Sequence, residues 1–312
     1  MTTEGYPHTR ELTAANGLRP REPPRSTHTG AHGREACAAL LSLVMRDVYL
    51  HGHHPSVIAS HGVRTAADSA AYLLPLLRPG ARLLDVGCGP GTITLDLAEA
   101  VGTGQVIGIE PVEEPLIAAR HNAAARGDRR TEFVRADVHE LPWDTGTFDV
   151  VHAHQVLQHL VDPIAALREM ARVSRSGGVV AFRDVDYTSM VWYPETDGMA
   201  LWLDLYRRLA RANHAEPDAG RHLKAWAHAA GLESLTPSAS LWTYATPEQC
   251  AWWGGAWARR ALDSTFATQA LERGFASRDQ LQRISEAWLD WSGHPDAWFA
   301  MTHGEVVARV SR

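Results

Sequence analysis

Residues 83–92, with the sequence LLDVGCGPGT, constrain the fold of this chain more than any other stretch. An apolar run ends at Asp85, three glycines alternate with other residues, and an amphipathic segment follows over residues 93–98. This order predicts a buried strand, a tight turn and a helix. Glycine suits the turn because it adopts positive φ and lets a ligand approach the backbone. The start of the helix adds unpaired N–H groups and a positive dipole end. The stretch therefore predicts a ligand-binding turn.

The spacing of the glycines, and the acidic residue before the first of them, indicate which kind of ligand this turn binds. A glycine-rich turn alone is weak evidence, because the dinucleotide-binding fingerprint looks similar. Gly87, Gly89 and Gly91 are spaced one residue apart, without the two-residue gap that lets a pyrophosphate sit on the helix. The carboxylate of Asp85 would also repel a diphosphate. A cationic ligand fits this turn better.

Three further predicted strands each lead to polar side chains at their carboxyl ends. They are residues 105–110, ending in Glu110; residues 131–135, leading to Asp137; and residues 148–153, leading to His154 and Gln155. In open α/β sheets, ligands bind in the crevice outside the carboxyl ends of the strands, and an acid roughly 20 residues after the glycines holds the ribose hydroxyls. Glu110 has that position.

The motifs that carry this order are LLDVGCGPG, VIGIE and EFVRADVHELPWDTGTFDVVHAHQVLQHL, followed by VDPIAALREMARVSRSGGVVAF. Together they resemble class I S-adenosylmethionine-dependent methyltransferases, above all the branch of ubiquinone and menaquinone biosynthesis, over about residues 80 to 185. The resemblance implies S-adenosyl-L-methionine as cofactor and S-adenosyl-L-homocysteine as product. It also implies an α/β fold with a Rossmann-like seven-stranded sheet, helices on both faces, an N-terminal helical cap and a helical insert before the last strand.

The resemblance also implies roles for individual residues. Asp85, Gly87 and Gly89 are expected around the methionine part of the cofactor. Glu110 is expected at the ribose, and Asp137 with Val138 at the adenine. The predicted cofactor-binding set is Tyr49, Arg64, Asp85, Gly87, Cys88, Gly89, Glu110, Pro111, Asp137, Val138, His154 and Gln155.

Methyl transfer from a sulfonium requires alignment of the acceptor, exclusion of water and removal of one proton. His154 is the first candidate for the base, and the others are His53, His54, His159 and Tyr49. Alternatively, His154 only shapes the crevice floor, since a carbon or amine acceptor reacts without a strong base. Arg64 is a candidate to bind the cofactor carboxylate through a charge-assisted pair.

His51, His53 and His54 lie between glycine and proline residues, without the i, i+4 helical spacing of a zinc site. No metal site is therefore predicted. The open alternatives are a contact with substrate or cofactor, a solvated or core role, and a metal ligand.

The composition excludes some partners. A net charge of -6 argues against nucleic acid, and no apolar run approaches the roughly 20 residues of a membrane span. The start of the sequence shows no signal-peptide pattern, and the scattered Cys37, Cys88 and Cys250 indicate neither a disulfide framework nor a zinc cluster. These features predict a cytoplasmic protein.

The pattern along the chain predicts five segments. They are a flexible tail (1–34), a helical cap (35–78) that includes a helix from Thr65 to Leu77, a cofactor-binding core (79–245), a helical insert that covers the substrate or forms a dimer interface (246–296), and a final core strand (297–312).

Ten of the eleven tryptophans follow residue 190. Most are expected in a core or a subunit interface, and the others in the acceptor pocket. The resemblance implies a methyltransferase, and the tryptophans predict that its acceptor is a small aromatic or heterocyclic metabolite, for example an indole-containing natural product, with a homodimer as one option. The alternatives are a non-catalytic S-adenosylmethionine-binding protein and an NAD-linked oxidoreductase.

Overall fold

The computed structural model describes Asp47, Leu50 and residues 61–311. The predicted tail and most of the predicted cap lie outside the described residues, as do Tyr49, His53 and His54. The five predicted segment boundaries stay a prediction.

A mixed sheet forms the centre of the fold, in the order β3-β2-β1-β4-β5-β8-β6, with β7 paired to β8 as well. The first five strands run parallel, and β8 runs antiparallel to β5, β6 and β7. The strands are β1 (Leu83–Val86), β2 (Val106–Glu110), β3 (Glu132–Arg135), β4 (Phe148–His154), β5 (Ser174–Val185), β6 (Val191–Tyr193), β7 (Ser234–Tyr244) and β8 (Trp298–Arg309). The predicted Rossmann-like fold is confirmed, and the three-residue β6 adds a strand to the seven expected.

Helices cover both faces of this sheet. Apolar side chains of β1, β2, β4 and β5 pack on one face against α1 and α2, and on the other face against α4 and α6. The helices are α1 (Ala66–Ser69), α2 (Thr92–Val101), α3 (Glu113–Ala125), α4 (Pro163–Val173), α5 (Asp197–Ala212), α6 (Leu223–Ala229), α7 (Pro247–Asp263), α8 (Thr265–Glu272) and α9 (Arg278–Ser292).

Local signals set several helix ends as the sequence predicts. Asp162 caps α4 by accepting the N–H of Ala165 at 2.8 Å, with Pro163 at the first helical position. The helix predicted from Thr65 to Leu77 is wrong in length, because α1 ends at Ser69 and only a 3₁₀ turn follows at Leu74–Leu76. Pro75 lacks the N–H that a continuous α-helix would need there.

The predicted helical insert comprises α7, α8 and α9, which pack with α5 around an aromatic core. The ring centroid of Trp202 lies 4.6 Å from that of Trp257 and 4.8 Å from that of Trp288, and all three side chains are fully buried. These indoles fill the space between helices, which agrees with the expected core role. They give no support to an indole-specific acceptor pocket.

Within the described part of the chain, no helix is both long and apolar enough to cross a bilayer.

Candidate functional site

The glycine turn joins β1 to α2 at the carboxyl edge of the sheet. Gly87, Gly89 and Gly91 all have positive φ, of 67°, 53° and 76°. A Cβ on Gly91 would lie 2.8 Å from the Phe133 ring, whereas a Cβ on Gly89 would meet no atom within 4 Å. Gly91 therefore serves close packing, and Gly89 leaves open space beside the turn. Cys88 is buried, packs against Gly108 and donates from its thiol to the carbonyl oxygen of Gly89 at 3.7 Å.

Glu110 ends β2 beside this turn. Its Oε1 accepts the backbone N–H of Gly89 at 2.7 Å, while Oε2 has no hydrogen-bond partner among the described residues. Burial raises the pKa of this carboxyl to about 7, despite the Gly89 N–H, which favours the ionised form. One oxygen thus orders the turn, and the other is free to accept from a ligand. Pro111 follows directly in the chain.

Asp137 and Val138 follow the end of β3. Val138 is buried, whereas Asp137 is exposed. Oδ1 of Asp137 accepts the backbone N–H of His139 at 2.9 Å and lies 3.0 Å from its Nδ1. This local turn leaves Oδ2 of Asp137 without a hydrogen-bond partner among the described residues, and therefore available to a donor such as an adenine amino group.

Asp85 lies below the glycine turn and is buried. Its Oδ2 accepts the hydroxyl of Thr94 at 2.5 Å, and its Oδ1 accepts from Nδ1 of His152 at 2.7 Å. Both carboxylate oxygens are therefore used within the protein. Cofactor contact by Asp85 stays a prediction, and the geometry favours a different role, in which Asp85 ties β1 to α2 and β4.

A row of polar residues crosses the four strands at the other end of this edge. His154 on β4 pairs in register with Arg183 on β5, Arg183 with Glu305 on β8, and Glu305 with Ser238 on β7. Paired residues point to the same face of a sheet. Arg183 is fully buried, and its Nε lies 3.3 Å from Oε1 of Glu305. The charge of the guanidinium is thus partly balanced inside the fold.

Hydroxyl groups complete this row. Ser240 accepts from Nε and Nη2 of Arg183 at 3.1 and 3.0 Å and donates to Glu305 at 2.5 Å. Ser238 donates to the other Glu305 oxygen at 2.7 Å. Burial lowers the pKa of Arg183 to about 10, so the side chain stays charged at neutral pH.

His154 is buried beside two aromatic rings. Its ring centroid lies 5.6 Å from that of Trp242 and 6.3 Å from that of His303. Burial, and then the nearby charge of Arg183, hold the pKa of His154 well below its usual range. The imidazole is therefore neutral.

Trp242 also contacts two guanidinium groups, and His303 contacts the side-chain amide of Gln155. The guanidinium carbons of Arg64 and Arg183 each lie 5.0 Å from the centroid of Trp242. Nε2 of Gln155 lies 2.8 Å from Nε2 of His303, and Gln155 has an unusual positive φ of 54°. Strained non-glycine residues of this kind cluster at functional sites.

His159 lies on a 3₁₀ turn, Leu157–His159, after β4. Burial, and then the charge of Arg64, lower the pKa of His159 to about 3. Its ring is thus also neutral. The structure therefore groups Arg64, His154, Gln155 and His159 at one end of the edge, and the glycine turn, Glu110 and Asp137 at the other.

Arg183, His303 and Glu305 were missing from the prediction, and Trp242 was included only as one of the tryptophans expected in a core, a subunit interface or the acceptor pocket. The signal in the sequence was polar side chains at alternate positions of otherwise apolar strands, such as His303 and Glu305 in β8. Asp184 and Asp186, at the end of β5 and directly after it, differ in environment. Asp186 caps the turn Tyr187–Ser189 and pairs with Arg221, whereas Asp184 is fully buried.

Five parallel strands, a Gly-x-Gly-x-Gly turn after β1 and an acid that ends β2 are together typical of a class I S-adenosylmethionine-dependent methyltransferase. The family described as "Methyltransferase domain" matches residues 77–240, and the chain belongs to it. The predicted class, the predicted resemblance to the ubiquinone and menaquinone branch and the predicted cofactor are confirmed.

Individual relatives agree with this assignment. An uncharacterized methyltransferase of Schizosaccharomyces pombe is 35% identical over 268 residues, covering 83% of this chain and 95% of the relative. The 27-O-demethylrifamycin SV methyltransferase of Amycolatopsis mediterranei is 37% identical over 155 residues, covering 49% of this chain and 56% of the relative. The crystal structure of YcgJ from Bacillus subtilis has a TM-score of 0.52 at 18% identity, covering 78% of this chain and 97% of YcgJ, and supports the fold.

The residues at the glycine turn fit S-adenosylmethionine. A ligand would fill the open space beside Gly89, and Oε2 of Glu110 would accept from ribose hydroxyls there. When bound, the cofactor supplies an electrophilic methyl group on a sulfonium. The protein's own residues have to hold the cofactor, align the acceptor and exclude water.

Proposed function

We propose that this methyltransferase acts on a small aromatic or heterocyclic metabolite. The observation that carries the proposal is the aromatic group Trp242, His154 and His303 at the end of the crevice reached by β4, β5 and β8. The centroids of Trp242 and His303 lie only 4.4 Å apart, and Trp242 is partly exposed. Flat rings at the wall of a crevice favour stacking of a flat acceptor.

We also propose that different strand ends bind different parts of the cofactor. Gly87 and Gly89 would border its methionine part, Glu110 would bind the ribose hydroxyls, and Asp137 with Val138 would border the adenine. Arg64 would pair with the cofactor carboxylate. The free oxygens of Glu110 and Asp137 and the open space at Gly89 support these roles.

The relative that methylates 27-O-demethylrifamycin SV is consistent with a small-molecule acceptor in specialised metabolism. We further propose a cytoplasmic location, which the two free, buried thiols of Cys88 and Cys250 support.

Methyl transfer from labelled S-adenosylmethionine to a metabolite library tests the acceptor class. Transfer to aromatic or heterocyclic compounds is the expected result. Labelling only of aliphatic or macromolecular acceptors would contradict the proposal.

Trp242→Leu provides a test of the aromatic wall. With an acceptor from that library, we expect its KM to rise at least fivefold with S-adenosylhomocysteine binding retained, since aromatic contacts contribute about 1 kcal/mol. The matched control is Trp226→Leu on α6, whose ring stacks on His222. An equal change of KM in both variants would remove Trp242 from the acceptor site.

A further inference from the structure

The polar row fixes which nitrogen of His154 carries its proton. Nδ1 of His154 lies 3.5 Å from Nη1 of Arg183. A guanidinium has donors but no acceptor, so Nδ1 must present its lone pair to Arg183. In the neutral imidazole the single proton then sits on Nε2. This nitrogen is buried and has no hydrogen-bond partner among the described residues.

Arg183 is held in the orientation that produces this tautomer. Ser240 occupies its Nε and Nη2, and Glu305 also lies within reach of Nε. Glu305 is itself fixed by Ser238 and Ser240. Since these residues pair in register across β4, β5, β8 and β7, the strands themselves set the tautomer.

A neutral imidazole with its proton on Nε2 is a hydrogen-bond donor at that atom and has no lone pair there to take up a proton. Protonation at Nδ1 would place two cations face to face in a buried site, which is unfavourable. His154 can thus donate a hydrogen bond to an acceptor oxygen but cannot remove a proton from it, which favours an oxygen that is already ionised.

The two carboxyl groups beside Arg183, those of Glu305 and Asp184, do not replace His154 as a base. Glu305 is engaged by Arg183, Ser238 and Ser240. Asp184 follows Arg183 on β5 and therefore points to the opposite face of the sheet, where it accepts the backbone N–H of Gln158 at 3.2 Å.

We infer that the acceptor is an acidic hydroxyl compound, such as a phenol or an enol, that binds as its anion and receives a hydrogen bond from Nε2 of His154. This inference rests on the proposed function and adds the ionisation state of the acceptor. His154 is then a donor that orients the reacting oxygen.

The reaction balances without a base on the protein. The acceptor loses its proton to water before it binds. A lone pair of its oxyanion forms the bond to the methyl carbon while the methyl–sulfur bond breaks, and that electron pair stays on sulfur. The anion and the sulfonium cation become two products that are neutral at these atoms.

The test uses 4-nitrophenol, whose phenolate has its own visible absorption, bound to the full chain saturated with S-adenosylhomocysteine. We expect the pKa of bound 4-nitrophenol to fall by about one unit, a tenfold preference for the phenolate. His154→Gln offers an amide donor near the position of Nε2 and no base, so it should keep most of this shift. His154→Leu should lose it.

An unchanged or raised pKa of the bound probe would overturn the inference, and so would the absence of saturable binding at millimolar concentration. Equal loss of the shift in His154→Gln and His154→Leu would also contradict it. Methylation of only neutral aromatic amines in the library would refute the anionic acceptor and leave the proposed function intact. Methylation of only aliphatic acids would refute the aromatic acceptor class instead.

Discussion

Acidification from pH 8 to pH 6 should weaken S-adenosylhomocysteine binding through Glu110. The pKa of this carboxyl in the free protein is about 7, so the ionised fraction falls from about nine-tenths to about one-tenth across this range. The ribose hydroxyls donate to the carboxylate, so binding favours the ionised form. The apparent Kd should therefore rise about tenfold, because only the ionised fraction binds well.

Isothermal titration calorimetry measures this effect in two ways. The Kd is followed at pH 6, 7 and 8, and buffers of different ionisation enthalpy report the protons exchanged. At pH 7 about half of the Glu110 carboxyls are protonated, so binding should release about half a proton from this group.

Glu110→Gln is the matched control. The glutamine side chain keeps an oxygen that can accept the backbone N–H of Gly89, but this side chain cannot ionise. Any pH dependence that remains in this variant belongs to other groups, including those of the ligand. The reasoning is refuted if the wild-type Kd is constant from pH 6 to 8, or if Glu110→Gln shows the same change as the wild type.

The remaining predictions concern the turn and the buried acid. Gly89→Ala should raise the Kd of S-adenosylhomocysteine at least tenfold, because its methyl group enters the open space beside the turn. Gly274→Ala, two residues after the end of α8 and with a similar φ of 66° and equal space, should leave that Kd unchanged while losing a similar ~1 kcal/mol of stability. Burial raises the pKa of Asp184 to about 8, so the folded state loses stability as the pH rises from about 4 to 8. Asp184→Asn, which cannot ionise, should therefore raise the melting temperature more at pH 8 than at pH 5, and an equal change at both would contradict this account.

Local sequence signals predicted most of the fold. Strands β1, β2 and β4 are short apolar runs bounded by polar or glycine residues, and Asp162-Pro163 marks the start of α4 without any tertiary information. The order of acids after successive strands then placed Glu110 and Asp137 at one edge, because parallel strands end together.

Contacts that depend on register were beyond the sequence. Asp85 and His152 lie 67 residues apart, and only the pairing of β1 with β4 brings the two side chains together. The sequence therefore predicts a ligand contact for Asp85, whereas in the fold its two oxygens accept hydrogen bonds from Thr94 and His152. In the same way, Arg183 and Glu305 lie 122 residues apart and meet through the antiparallel pairing of β5 with β8.

This arrangement separates the two binding tasks along the sheet edge. Apart from Arg64, the proposed cofactor contacts come from the turn after β1 and the ends of β2 and β3, which are close in sequence. The proposed acceptor side is formed by β4, β5, β7 and β8, and the helical insert lies between β7 and β8 in the chain. Because Trp242 and His303 flank that insert, changes in β7 and β8 can alter the acceptor site while Gly89 and Glu110 are preserved. The same separation explains why a cofactor motif is readable from a short stretch, whereas the acceptor site depends on residues that meet only in the folded sheet.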